Sequence, residues 1–140
     1  PAGEYTVPIG EARGTRPGTQ VTVIAWGAMW HEAAEAARQA EEQGIDCEVL
    51  DLRSLQPLDV DAVEASVKKT GRAVVVHEAP RTCGFGAELS ALIQERCFLN
   101  LESPVARVTG FDTPFPYTLE NEYLPRAPRI LQAIRRTVEY

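Results

Sequence analysis

No apolar run in this chain approaches the ~20 residues that a membrane-spanning helix requires. The longest, Val21 to Trp30 and Ala73 to Val76, are the length of buried strands or short turns of helix. Basic residues are also too few for a nucleic-acid or anionic-membrane surface: 14 Lys and Arg stand against 20 Asp and Glu, a net charge of -6. Partners of that kind need clustered cations to neutralise phosphates. The three cysteines Cys47, Cys83 and Cys97 are an odd number with no secretory leader before them. That pattern fits a reducing compartment, bacterial cytoplasm or mitochondrial matrix, rather than a disulfide framework. The two histidines and three cysteines lack ligand spacing, so no metal site is expected. There is no GxxxxGK[ST] and no full GxGxxG to cradle phosphates. Pro1 stands where an intact product would carry Met, so the chain reads as a piece of a longer polypeptide.

What is present reads as one domain with an extension. At 140 residues the chain is long enough to bury a core without staples. Residues 1–20 are rich in Gly and Pro and read as a linker from a missing upstream domain, with regular structure limited to a short strand around Tyr5 to Ile9. Residues 21–140 then alternate strand and helix patterns. Val21 to Ala25 is an apolar strand ending near Gly27, and Ala28 to Gln43 a helix with Met29, Ala33, Ala36, Ala37 and Ala40 on one face and Gly44 after its end. Cys47 to Leu52 is a second strand. Asp59 is a good N-cap for a helix bearing Val60, Val63 and Val67, on which Glu64 and Lys68 pair at i, i+4, with Gly71 at its end. Ala73 to Val76 is a third strand, followed by a helix with Leu89, Leu92, Ile93 and Cys97 inward. Val105 to Thr109 is a fourth strand, and a last helix starting near Pro128 buries Ile130, Leu131, Ile134 and Val138. Strands separated by helices of this length imply an α/β fold with a mainly parallel sheet covered on both sides.

Candidate chemistry is sparse. Open α/β sheets bind ligands beyond the carboxyl ends of their strands, where Gly27, Arg53, His77 and Glu78 fall. Neighbouring residues on a strand face opposite ways, so Glu78 is badly placed to orient His77 as a base, and His77 reads as a hydrogen-bonded structural or interface histidine. His31, beside Glu32 and Glu35, reads as solvated. Cys83 lies in RTCGFG just before a helix, where the helix dipole and Arg81 favour a thiolate. That makes a free-standing α/β thiol enzyme using Cys83, His77 and Arg81 the alternative from another class. The segment Phe111 to Tyr117, FDTPFPY, holds large rings between two rigid prolines. With Tyr123 and Trp30 it carries more aromatic surface than a loop needs, which favours a subunit contact.

Read together, VTVIAWG, GIDCEVLDLRSLQPLDVDAVEASVKKTGR, HEAP, GFGAE, ERCFLNLESPVARVTGFDTPFPY and a final helix ending in an aromatic residue resemble the C-terminal domain of the beta subunit of thiamine-diphosphate-dependent 2-oxo acid dehydrogenases, the branched-chain type most of all. The resemblance covers nearly the whole chain. It implies a three-layer α/β sandwich, transketolase C-terminal-domain-like, with one antiparallel strand in the sheet. It also implies a parent α₂β₂ enzyme that decarboxylates a 2-oxo acid and reductively acylates lipoyl groups. Thiamine diphosphate and Mg²⁺ would be held by the alpha subunit and the beta N-terminal domain. The GDG motif with a downstream Asn that holds them is missing here, so no catalytic, cofactor-binding or metal-binding residue is expected in this domain.

What the resemblance assigns to this domain is assembly: contact with the second beta subunit and with alpha subunits, and docking of the Arg/Lys-rich peripheral subunit-binding domain of the dihydrolipoyl acyltransferase. Glu102, within Leu101 to Pro104, matches the Glu of a Leu-Glu-Ala-Pro motif, and Tyr140 matches a residue whose terminal carboxylate adds negative charge there. Arg107 matches an arginine that meets the alpha subunit, with Phe115 and Tyr117 as aromatic contacts. The chain departs from the family pattern at Ser103, which replaces Ala, at Cys83, which replaces Gly, and at Arg126, where relatives can have Asp. The beta subunit of pyruvate dehydrogenase, transketolase and deoxyxylulose phosphate synthase remain related alternatives.

Overall fold

The computed structural model describes residues 3–140; the first two residues of the expected linker lie outside the described residues. The fold is built on a sheet in the order β1-β3-β2-β4-β5. Its strands are β1 (Arg13–Arg16), β2 (Val21–Ala25), β3 (Cys47–Asp51), β4 (Ala73–Pro80) and β5 (Ala106–Gly110). Pairing is parallel throughout except between β1 and β3. The helices are α1 (Ala28–Glu41), α2 (Val60–Thr70), α3 (Phe85–Cys97), the single turn α4 (Glu120–Tyr123) and α5 (Ala127–Val138), with 3₁₀ turns at Phe98–Asn100 and Tyr117–Leu119.

Strand periodicity divides the core into two layers. Val21, Val23 and Ala25 point to the face covered by α1 and α5, where they meet Ala33, Ala37, Ile130 and Ile134. Ile24, Leu50 and Val75 point to the opposite face, against Val63 and Val67 of α2 and Leu89 and Ile93 of α3. This is the expected three-layer sandwich. The small alanines of α1 let it lie close against α5.

Helix ends follow their sequence signals. The Asp59 carboxylate accepts the Ala62 amide at 3.0 Å and the Ala12 amide at 2.9 Å, so one side chain both starts α2 and ties down the N-terminal segment. Gly71 ends α2 at φ 69, a left-handed turn that glycine adopts without strain. Glu64 and Lys68 pair at 2.6 Å as expected. Beneath α2, Glu48 on β3 is almost fully buried and is held by Ser66 at 2.5 Å and by Lys69. Thr22 on β2 bonds Ser66 and Thr70 at 2.8 Å each. The sheet is thus joined to this helix by hydroxyls as well as by apolar contact.

Three elements differ from expectation. No strand forms at Tyr5 to Ile9; the first strand is Arg13–Arg16, and it supplies the antiparallel edge by pairing with β3. β4 continues four residues past the apolar run to Pro80, because its pairing with β5 extends to Gly110 across an irregularity between His77 and Pro80. Such a bulge re-aims side chains at the end of a strand. The single turn α4 breaks the stretch between Tyr117 and the last helix. It carries Tyr123 into the core.

Candidate functional site

The strand order places the crossover crevice between the carboxyl ends of β2 and β4, where α1 and α3 begin on opposite faces. Open α/β sheets take their ligands there. In this protein the crevice is filled by side chains. The Trp26 indole stacks on the His77 imidazole with centroids 5.4 Å apart and planes 16° from parallel, and Phe85 meets Trp26 edge-on at 5.8 Å. Gly84 and Gly86 close the far side of the His77 ring: a Cβ on Gly86 would lie 2.4 Å from Nε2, and one on Gly84 2.6 Å from Cε1. His77 is buried, and both of its ring nitrogens lack a hydrogen-bond partner among the described residues. The expected hydrogen-bonded histidine is therefore corrected to one held by stacking. Burial pushes its pKa below the ordinary value, outweighing an opposite pull from the nearby Ala79 backbone, which does not reach hydrogen-bond geometry. Glu78, the next residue on the strand, is exposed and does not orient it.

The thiol constellation is not assembled. Cys83 is exposed and has φ 60, a left-handed conformation in which a non-glycine residue is strained. No hydrogen bond joins it to His77 or Arg81 among the described residues. Arg81 instead donates to the Arg107 carbonyl at 3.1 Å, and Arg107 donates back to the Arg81 carbonyl at 3.2 Å. Asp112 fastens the same loop by accepting the Thr82 amide at 2.8 Å and hydroxyl at 2.7 Å, which hold its carboxyl below the ordinary range. The other two cysteines are buried, and burial pushes the Cys47 thiol up to about 12. His31 is exposed, with its ring edge-on to Trp30.

The Pro/aromatic segment forms an apolar band on the surface. Phe111, Phe115, Tyr117 and Leu119 are 49%, 54%, 87% and 58% exposed, far more than isolated apolar residues need be on a closed domain. Phe111 and Phe115 set their edges against Tyr123, with centroids 6.2 and 5.1 Å away. Tyr123 is buried, so the expectation that it joins a subunit contact is corrected: it is the core anchor on which the exposed rings stand. Trp30 is also turned inward, donating its indole N–H to Thr15 on β1. Beside the band, Glu78, Pro80, Phe115 and Tyr123 help line a depression of about 480 Å³.

The charged residues singled out in the sequence lie on the β5 side. Glu102 is over half exposed and pairs with Arg72 at 2.7 Å, with its stem against Gly71. Arg107 and Tyr140 line one cavity of about 630 Å³ between β5 and α5, and Ser103, next to Glu102, reaches the same cavity. Tyr140 is 79% exposed. Arg126, one of the departures noted in the sequence, bonds Glu32 at 2.9 Å and Asn121 at 2.7 Å, while Glu32 also accepts the Ala127 amide. It latches the start of α5 to α1. The filling of the crevice by Trp26 and Phe85 was not anticipated; the only sequence signal for it is two aromatics placed just after β2 and at the start of α3.

The chain is thus a three-layer α/β domain with stacked rings at the carboxyl ends of β2 and β4 and an aromatic band exposed at the surface. A family model, "Transketolase, C-terminal domain", matches residues 10–130, and the chain belongs to that family. It is 50% identical over its whole length to the mitochondrial 2-oxoisovalerate dehydrogenase subunit beta of Dictyostelium discoideum, of which it covers 38%. It is 52% identical over 99% of its length to the 2-oxoisovalerate dehydrogenase subunit beta of Pseudomonas aeruginosa, covering 39% of that protein. Against a pyruvate dehydrogenase E1 component subunit beta of Staphylococcus epidermidis the identity is 45%, with 43% of the relative covered. The chain therefore spans about two fifths of the length of these relatives. Among solved structures, a split-gene transketolase described as an inactive beta4 tetramer superposes with a TM-score of 0.79 at 28% identity, over 93% of this chain and 42% of that one.

Proposed function

We propose that this chain is the C-terminal assembly and docking domain of the beta subunit of a branched-chain 2-oxo acid dehydrogenase, the component that decarboxylates a 2-oxo acid and transfers the acyl group to lipoyl carriers. Identities of 50–52% to 2-oxoisovalerate dehydrogenase beta subunits, against 45% to a pyruvate dehydrogenase beta subunit, favour the branched-chain type. Residues 1–12 lead from an upstream domain, and residues 13–140 carry the assembly role; the expected boundary at residue 21 moves because Arg13–Arg16 is the antiparallel edge strand of the sheet. In this reading thiamine diphosphate and Mg²⁺ are held by the alpha subunit and the beta N-terminal domain, while the carboxyl end of β4 in this domain packs the Trp26, His77 and Phe85 rings together. The domain alone is inactive. Its working compartment is bacterial cytoplasm or mitochondrial matrix; no helix of the described residues is long and apolar enough to cross a membrane.

The observation that carries this reading is the exposed band of Phe111, Phe115, Tyr117 and Leu119, in which Phe111 and Phe115 stand against the buried Tyr123. Aromatic rings held by a rigid base are the usual anchors of subunit contacts. Phe115 and Tyr117 meet a neighbouring alpha or beta subunit, and Arg107 an alpha subunit. Glu102 meets the basic peripheral subunit-binding domain of the dihydrolipoyl acyltransferase. The test is a Phe115→Ser/Tyr117→Ser variant of the full-length beta subunit, mixed with its alpha subunit and followed by sedimentation velocity. The variant is expected to stay folded and to lose the heterotetramer. An undiminished heterotetramer would refute the role of the aromatic band.

A further inference from the structure

The cavity between β5 and α5 has a charge that the acidic composition of the chain does not foreshadow. Arg81, Arg107, Arg129 and Arg136 all line it, and the only carboxylate side chain in its lining is Asp112, already engaged by Thr82. Most other cations of the protein are matched: Arg16, Arg38, Arg53, Lys68, Lys69, Arg72, Arg96 and Arg126 each have an acidic partner within 4.0 Å. None of the four cavity arginines does, among the described residues. Their acceptors are neutral. Arg81 and Arg107 each donate to the other's backbone carbonyl, and Arg129 donates to the carbonyls of Thr109 at 2.8 Å, Tyr123 at 3.1 Å and Leu124 at 3.3 Å. The Arg129 guanidinium also lies over the Phe111 ring, 4.5 Å from its centroid, which fixes its plane at the base of the exposed aromatic band. Arg136 is exposed.

From this arrangement we infer that the β5/α5 groove binds an acidic, extended segment of a partner polypeptide, its carboxylates paired with Arg107, Arg81 and Arg136. Spacing favours a chain over a single small anion. Arg129 and Arg136 are seven residues apart on α5, roughly 10 Å at 1.5 Å per residue. The five residues of β5 run along the floor for about 16 Å. Guanidinium groups spread over such a length do not converge on one phosphate, whereas carboxylates repeated along an extended chain can meet them in turn. Binding by strand addition is disfavoured, because the Arg107 and Thr109 carbonyls already accept from Arg81 and Arg129, and charged side chains over an edge strand discourage further pairing. The groove thus serves a partner of the opposite charge to the basic domain assigned to Glu102. It rests on the contact proposed for Arg107, which it deepens, and does not depend on docking at Glu102.

The experiment is a fluorescence anisotropy titration of the purified chain with a labelled peptide of alternating Glu and Gly, and with its Gln/Gly counterpart as the uncharged reference. The acidic peptide is expected to bind, the uncharged one not, and added salt to weaken the complex. An Arg81→Gln/Arg136→Gln variant should weaken binding by about tenfold or more, while an Arg13→Gln/Arg135→Gln variant, with the same loss of charge elsewhere, should change it by no more than about twofold. Far-ultraviolet circular dichroism confirms that both variants are folded, and Arg129 is left intact because it braces β5. Glu102→Ala should leave peptide binding unchanged, which separates this groove from the docking of a basic partner. Equal weakening by the two double variants, no binding by the wild type, or displacement of the peptide by inorganic phosphate at matching concentration would each overturn the inference.

Discussion

Burial lowers the pKa of His77, and the cost of charging it has a definite sign. The unfolded chain takes up a proton below the ordinary histidine value of about 6.5, while the folded ring, enclosed by Trp26, Gly84 and Gly86, resists it. Nothing is lost above that value, where both states are neutral; stability falls as pH drops below it. In a proton NMR titration the His77 ring should show a midpoint below 6.5, and a midpoint at or above it would contradict the enclosed environment. The same packing predicts that Gly86→Ala, whose new Cβ would press on Nε2, destabilises the protein by about 1–3 kcal/mol in denaturant melts. At Cys83 the expectation runs the other way. Glycine tolerates φ 60, so Cys83→Gly should leave stability unchanged or raise it by up to about 1 kcal/mol. Native alkylation should reach Cys83 and spare the buried Cys47 and Cys97. A destabilised Cys83→Gly protein would show that the thiol has contacts the fold depends on.

The elements rest on a small number of side chains that do two things at once. Asp59 caps α2 and holds the Ala12 amide, so Asp59→Ala should cost about 1–2 kcal/mol and expose the N-terminal segment to protease earlier than in the wild type. An unchanged melting curve and digestion pattern would mean that the segment is held by β1 alone. Elements whose signal is local were readable from the sequence: the alanine face of α1, Asp59 and Gly71 at the two ends of α2, the apolar β2 and the inner face of α5. β1 was not readable, because Arg13, Gly14, Thr15 and Arg16 have no apolar alternation. The strand exists through its pairing with β3 and through Trp30 and Glu41, which hold Thr15 and Arg16 from α1. The extension of β4 to Pro80 was hidden for a similar reason, since it depends on β5, a strand distant in sequence.

Across the whole molecule, the sheet and its two helical layers bring together residues that sequence motifs alone left scattered. The motifs marked Arg107, Phe115, Tyr117 and Tyr140, and the structure leaves the two aromatics exposed in one band and sets Arg107 and Tyr140 in one cavity. They did not mark Arg81, Arg129 and Arg136 as its other charges, because those come from a loop and a helix that only folding brings to β5. Nor did they reveal that Glu102 is already paired with Arg72. In the docking proposed for Glu102, a partner would have to share the carboxylate with Arg72 or take it over. The most direct measurement of the docking role is a calorimetric titration of this domain with the peripheral subunit-binding domain of a dihydrolipoyl acyltransferase, at low and moderate salt, beside Glu102→Ala. Salt-sensitive binding that the substitution weakens by about 2 kcal/mol or more is the predicted result. Binding of equal strength by the folded variant, or none by the folded wild type, would contradict the account.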